Sequence, residues 1–191
     1  LNGKIALCRY GGLFRGDKVQ LAVKRGAIGM VLYSDPFDYA NGRMDGKVFP
    51  HEVWLPASGA QRGTLLMNDG DPETPFLPSR YYTYRAETEE NLRDRQIMPS
   101  IPVTPIGYRD AIKIMQNFNG LKIKLHDWLG AMNVTYRFNG SAIFRLTVHS
   151  TCSRRIVTNI IATTIGRNEP DRYVLFSNHY DAWVKVKFQF Y

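Results

Sequence analysis

Cysteine is scarce: Cys8 and Cys152 are the only two in 191 residues. Two thiols exclude a disulfide-dense small scaffold and a four-cysteine zinc site, and leave pairing or free thiols equally open. No apolar run approaches about 18 residues, so no segment reads as a membrane-crossing helix. The chain opens on Leu1, Asn2 and Gly3 with neither an initiator methionine nor a signal peptide, which predicts a piece of a longer protein whose own targeting signal lies out of view. Neither phosphate-binding glycine pattern, Gly-x-Gly-x-x-Gly or Gly-x-x-x-x-Gly-Lys-Ser/Thr, is present, which argues against a nucleotide site. Zinc-finger spacing, a recognition helix after a tight turn and a KH loop are missing as well. The net charge of +8 therefore points to no nucleic-acid partner. Its basic residues are scattered in pairs (Lys24 with Arg25, Lys122 with Lys124, Arg154 with Arg155) rather than gathered on one face.

What is present is ordinary globular composition, 44% hydrophobic and 22% charged, in enough chain for one good core or two small ones. Charge is uneven: between Asp69 and Met98 seven acids face four arginines, a local net of −3, and the rest of the chain carries +11. Lys4 to Arg9 reads as a buried strand ending at Gly11-Gly12. Asp17 is placed to cap a helix whose apolar stripe is Val19, Ala22, Val23 and Ala27, closed by Gly26 and Gly29. Met30-Val31-Leu32-Tyr33 begins a second strand before a Ser34-Asp35-Pro36 turn. Strand, glycine loop, helix and strand in that order make a βαβ unit.

Residues 34–80 hold six prolines and little periodicity, which predicts long irregular structure of the kind that more often binds something than not. Residues 86–95 read as an exposed turn or short helix, and a Pro-rich run, Pro99 to Val103, leads into a strand. Asp110 is expected to cap a helix with the stripe Ala111, Ile114, Met115 and Phe118, ending at Asn119-Gly120. Leu121, Ile123 and Leu125 alternate with lysines as a half-buried strand. From Val134 to His149, alternation on both sides of Asn139-Gly140 predicts a hairpin with a type I′ turn. Asn133-Val134-Thr135 and Asn139-Gly140-Ser141 are glycosylation acceptor patterns, so Asn133 and Asn139 are candidate modification sites.

At Arg155 the character changes. Residues 156–163 and 172–177 are strongly apolar and predict adjacent strands, the second running into Ser177-Asn178-His179-Tyr180-Asp181. Polar residues at the tip of a buried strand are where α/β enzymes place chemistry. A histidine two residues before an aspartate suits a metal ligand with a carboxylate helper.

Taken together, several blocks resemble the glutamate carboxypeptidase II family, the N-acetylated alpha-linked acidic dipeptidases. They are Lys4 to Gly11, Phe14 to Val19, Val31 to Pro36, Gln61-Arg62-Gly63, Gly70 to Pro75, Ile101-Pro102-Val103 with Pro105 to Tyr108, Glu169 to Val174 and His179 to Trp183. They fall in family order across nearly the whole chain. The resemblance implies an α/β fold class. Residues 1–153 would be most of a protease-associated domain, a mixed β-sheet or sandwich with flanking helices. Residues 154–191 would be the first strands of a truncated α/β zinc-peptidase domain of the M28 class. It implies a parent that is a type II membrane protein with an extracellular or lumenal ectodomain, and a homodimer through a helical domain absent here. Its substrates would be small peptides that lose a C-terminal, possibly acidic, residue.

By the same resemblance, His179 stands at the first zinc ligand and Asp181 at the carboxylate that orients it. Arg15 stands at the arginine lent to the cleft to hold the substrate's α-carboxylate, a role suited to a guanidinium fork. Gly12 replaces a lysine near the substrate side chain, so acidic preference does not carry over. Thr74 and the backbone at Leu77 correspond to part of a structural calcium site; Leu77 replaces a tyrosine, which a carbonyl ligand tolerates. Two zinc ions and one calcium are thus implied for the parent. The tail Val184 to Tyr191 holds no Asp, Glu, His or Cys, where the family goes on to its bridging carboxylate and base. Two-metal hydrolysis needs those groups, so this polypeptide alone is expected to be catalytically incompetent. His51, His126 and His149 match no family role and read as structural or solvated. The competing resemblance is to the transferrin receptor, a non-catalytic ectodomain serving protein binding, which has glutamine where His179 stands.

Overall fold

Residues 4–33 fold as the strand–helix–strand unit that the pattern predicts. In the computed structural model, which describes residues 1–179 apart from Asp69 and Cys152, β1 is Ile5–Arg9, α1 Arg15–Lys24 and β2 Gly29–Tyr33. A four-residue helix α2 (Pro36–Tyr39), a short α3 (Glu89–Asp94), β3 (Val103–Ile106) and α4 (Tyr108–Met115) follow. The three strands form one sheet in the order β1-β2-β3. Ile5 pairs with Gly29 and Arg9 with Tyr33, and Met30 pairs with Val103 and Tyr33 with Ile106, all parallel. Isolated antiparallel bridges join Gly11 to Leu13 and Lys122 to Arg137. No second sheet, the sandwich half of the expectation, stands among the described residues.

β2 is the centre of the sheet and of the two core clusters packed on it because it is hydrogen-bonded on both edges and covered on both faces. All five of its residues are buried, while β1 and β3 are half-buried throughout. Successive side chains alternate across a pleated strand. Met30 and Leu32 accordingly pack with Val19 and Ala22 of α1 and with Tyr10 and Ala27. Tyr33 packs on the other side with Tyr108, Ala111 and Met115 of α4, and with Ile123, Met132 and Tyr136.

Two caps differ from expectation. Neither Asp17 nor Asp110 is an N-cap: Phe14 and Gly107 hold those positions, with no side-chain cap bond. Both acids lie in the first turn instead, where a carboxylate favours the helix dipole, and Asp110 pairs with Lys113 at 3.4 Å. Glycine is required at 107, because a Cβ there would meet the backbone of Ala57 at 2.5 Å and of Ser58 at 2.9 Å. Of the exposed turn or short helix expected over 86–95, the helix forms: Thr88 accepts from the Asn91 amide at 3.2 Å, and Leu92 is buried rather than exposed.

The predicted hairpin does not form. Residues 136–139 pair back onto 120–123 instead: Gly120 donates to the Asn139 carbonyl at 2.9 Å, Ile123 to Tyr136 at 2.9 Å and Phe138 to Leu121 at 3.1 Å. The Asn139-Gly140 turn is used as a contact, with Gly140 against the Asn117 carbonyl and Phe118. Asn119 accepts from the Ser141 amide and donates to its hydroxyl. This choice buries Ile123 and Tyr136 against α4, which an isolated hairpin would leave wet. The strand expected over 121–125 is reduced to its single bridge for the same reason.

The chain divides into two units, Leu1–His149 and Ser150–Tyr191. In the second, no strand or helix occurs among the described residues, so the strands expected at 156–163 and 172–177 are absent there. A strand is stable only as a rung of a ladder, and an apolar run alone supplies no partner.

Candidate functional site

The end of β1 carries the first group of interest. Tyr10 is buried just beyond the strand, and Gly11 and Gly12 then turn the chain with φ of +107° and +75°. Such backbone suits glycine and strains any other residue. The turn delivers Phe14 as the cap and Arg15 as the first residue of α1. The Arg15 guanidinium lies over the Phe14 ring, 5.1 Å from its centroid, within cation–π range. Its Nε is buried with no hydrogen-bond partner among the described residues. No acidic side chain pairs with it among them.

Facing this arginine is the segment 55–67. Its first half is anchored on α4, where Tyr108 donates its hydroxyl to the Leu55 carbonyl at 3.4 Å and the Arg109 amide donates to Ala57 at 3.0 Å. Tyr10 ties the middle by donating its hydroxyl to the Gln61 carbonyl at 2.8 Å. Gln61 Oε1 is, with Arg15 Nε and Ser34 Oγ, one of three buried side-chain polar atoms with no partner among the described residues. Gly63 then sits directly against the Arg15 guanidinium, and Leu65 and Met67 close over Gly16. Sequence reading identified Arg15 but not this seat; the Gln61-Arg62-Gly63 block was its only signal.

A second polar centre lies at the end of β2, where Ser34 and Asp35 are both fully buried. Asp35 caps α2, accepting from the Phe37 amide at 2.9 Å, with Pro36 at the first helical position. It also accepts from the Ala131 amide at 2.8 Å and the Tyr136 hydroxyl at 2.6 Å. Gly130 is packed so closely that a Cβ there would overlap the carboxylate. Arg9 completes the fastening, bonding Asp38 at 2.7 and 2.9 Å and the Leu129 carbonyl at 2.7 Å. Burial raises the Tyr136 hydroxyl well above its usual range, and its bond to Asp35 adds to that; burial does the same to Tyr33. With three donors satisfied, Asp35 is a structural clamp on the loop 129–136 rather than a reacting group. The Asp-Pro pair signals its cap, but nothing local signals its distant partners.

Thr74 is buried and its Oγ1 lies 3.5 Å from the Leu77 carbonyl, while Leu77 itself is exposed. The Thr74 hydroxyl donates to that carbonyl, and a calcium shell needs six to eight oxygens. Nearby acids are engaged locally: Asp71 accepts from the Glu73 amide at 2.9 Å, and Glu73 pairs with Arg85 at 3.0 Å. His179 is exposed, and no group of three or more His, Cys, Asp or Glu among the described residues could hold a metal ion. Its expected helper Asp181 and the pairing of Cys152 lie outside the described residues. Asn133 and Asn139 are both exposed. Among the described residues no helix is long and apolar enough to cross a membrane.

Residues 1–67 match the PA domain family. A glutamate carboxypeptidase 2 homolog of Caenorhabditis briggsae is 41% identical over 96% of the chain and 25% of its own length. The mouse aminopeptidase NAALADL1 is 36% identical over 96% of the chain and 26% of its own. Rat transferrin receptor protein 2 is 30% identical over 96% of the chain and 21% of its own. The chain thus spans about a quarter of the length of the curated relatives it matches.

Proposed function

We propose, for a chain homologous over most of its length to the glutamate-carboxypeptidase-like M28 family and carrying a PA domain match over residues 1–67, that it forms the substrate-holding apical part of a zinc peptidase. Residues 1–153 act as the protease-associated domain, and 154–191 begin the peptidase domain. Arg15 binds the terminal carboxylate of a small peptide. The observation that carries this is its position: a guanidinium at a helix start, held against Phe14 and Gly63, with no acidic partner among the described residues. A cation so placed is held ready for an anion from outside, and its fork matches a carboxylate.

His179 supplies one zinc ligand in the whole protein and Asp181 orients it. A zinc pair, when bound, activates water and polarises the scissile carbonyl. Thr74 and Leu77 contribute two oxygens to a calcium that braces the apical segment. Asn133 and Asn139 are glycan acceptors on a membrane-anchored, outward-facing homodimer. The higher identity to the nematode glutamate carboxypeptidase 2 homolog and to the mouse aminopeptidase than to the receptor, together with His179, favours the catalytic reading of the parent.

Each zinc needs about three or four converging protein ligands, and no group of three or more His, Cys, Asp or Glu that could hold a metal ion stands among the described residues. Isothermal titration with zinc is expected to show no sub-micromolar uptake of two ions per chain, and N-acylated dipeptides ending in Glu should not be hydrolysed. Two tightly bound zincs, or zinc-dependent turnover that survives removal of contaminating proteases, overturns this. In the longest natural product containing this sequence, Arg15→Lys should raise KM for the same dipeptides at least tenfold. An unchanged KM would remove the carboxylate role.

A further inference from the structure

We propose that Gly63 is a positioning residue: its missing side chain is the seat that sets where the Arg15 guanidinium stands. The inference deepens the carboxylate reading of Arg15 and rests on it for its functional meaning. A Cβ at position 63 would overlap Nη2 and Cζ of Arg15 and stand only 2.8 Å from Nε, closer than side-chain carbons approach one another in packed interiors. The Phe14 ring lies against the same guanidinium, its centroid 5.1 Å from Cζ. Arg15 is therefore in contact with both an aromatic ring and a glycine backbone, and among the described residues its Nε is buried without a hydrogen-bond partner. An arginine held by such contacts keeps its bonding capacity for a ligand. An arginine held by an acid would already have used it.

The seat is itself fixed. Tyr108 and Arg109 fasten the segment at Leu55 and Ala57, and Tyr10 fastens it at Gln61, two residues before Gly63. Tyr10 follows β1 directly, so the distance from sheet to seat is set by the same strand that leads into the turn before Arg15. Gly63 does not have positive φ, so alanine is compatible with its backbone. What a new methyl meets is the far end of a flexible side chain. Gly63→Ala should therefore move the guanidinium and spare the fold.

The test uses the full 191-residue chain labelled with 15N-arginine, and reads the Arg15 Nε–H resonance, assigned by its loss in Arg15→Lys. Gly63→Ala is expected to shift that resonance and to raise the rate of Arg15 modification by phenylglyoxal at least threefold, with the thermal midpoint unchanged. Titration with N-acetylglutamate should perturb the Arg15 resonance in the parent chain, with the apparent affinity at least tenfold weaker in Gly63→Ala. Tyr10→Phe, which cuts the tether without crowding the seat, should give a smaller change of the same kind. If Gly63→Ala leaves the resonance and the modification rate where they were, the proposal is overturned. If the resonance moves in Gly63→Ala but N-acetylglutamate never perturbs Arg15 in the parent chain, the positioning role stands and the carboxylate reading falls. Should Gly63→Ala unfold the chain, the assumption that only the guanidinium yields is wrong, and the proposal falls with it.

Discussion

Met30-Val31-Leu32-Tyr33 and Tyr173-Val174-Leu175-Phe176 are nearly the same string of side chains, and they meet opposite fates. In β2 Leu32 is 1% exposed and Tyr33 4%; in the later run Leu175 is 88% exposed and Phe176 95%. β2 has β1 and β3 on its two edges, α1 on one face and α4 on the other. The run at 173–176 forms no strand, nor does any described residue of 150–179. Apolar composition supplies the drive to be buried, but the ladder and the covering helices must come from elsewhere in the chain. The homologous proteins are about four times as long as this chain, which is where covering elements for 156–177 would be sought.

Amide hydrogen exchange gives the largest contrast. Amides of Met30–Tyr33 should exchange about a thousandfold or more slower than those of 173–176, because core strands open only near the global unfolding free energy. Comparable rates would break the comparison. Next in size, Leu32→Ala should cost about 2–5 kcal/mol by denaturant titration, the usual range for emptying a packed core position.

A smaller effect is expected at the clamp. Tyr136→Phe removes one of three donors to Asp35 and should cost about 1.5–3 kcal/mol, the range for a hydrogen bond to a charged group. The same residue sharpens a pH prediction. Tyr33 and Tyr136 hold their protons above the ordinary tyrosine value of 10.0 because they are buried, Tyr136 also because it donates to Asp35. A group whose folded-state pKa is raised stabilises the fold fully below its unfolded value, and that stability is lost as pH climbs through the folded value. The denaturation midpoint should therefore hold up to about pH 10 and fall above it. Tyr136→Phe should flatten that fall, and a midpoint independent of alkaline pH would contradict the burial of both hydroxyls. Least of all, Leu175→Ala should change stability by no more than about 0.5 kcal/mol, as for an exposed substitution. A cost near that of Leu32→Ala would show that 173–176 is packed after all.

The features legible in the sequence were the local ones. The βαβ unit, the helix on Ala111 and Met115 and the long irregular stretch after β2 follow from periodicity and glycine placement, while the turn or short helix read over 86–95 forms a helix that buries Leu92. Such patterns act within a few residues and so can be read from a few residues. Arg15 was legible as a candidate only through the blocks around it.

Tertiary structure decided which distant segments meet. The pattern on both sides of Asn139-Gly140 predicted a hairpin, but residues 136–139 pair with 120–123 instead, and Ile123 and Tyr136 are buried with α4. Asp35 reads in the sequence as part of a turn, but its bonds to Ala131 and Tyr136 span about a hundred residues. Gly63 acquires its meaning only from Arg15, forty-eight positions earlier. Local sequence fixes what each segment can become, since backbone sterics and side-chain periodicity are short-ranged. Which faces are joined is settled by total burial and hydrogen-bond satisfaction over the whole chain, and no short window of sequence contains that sum.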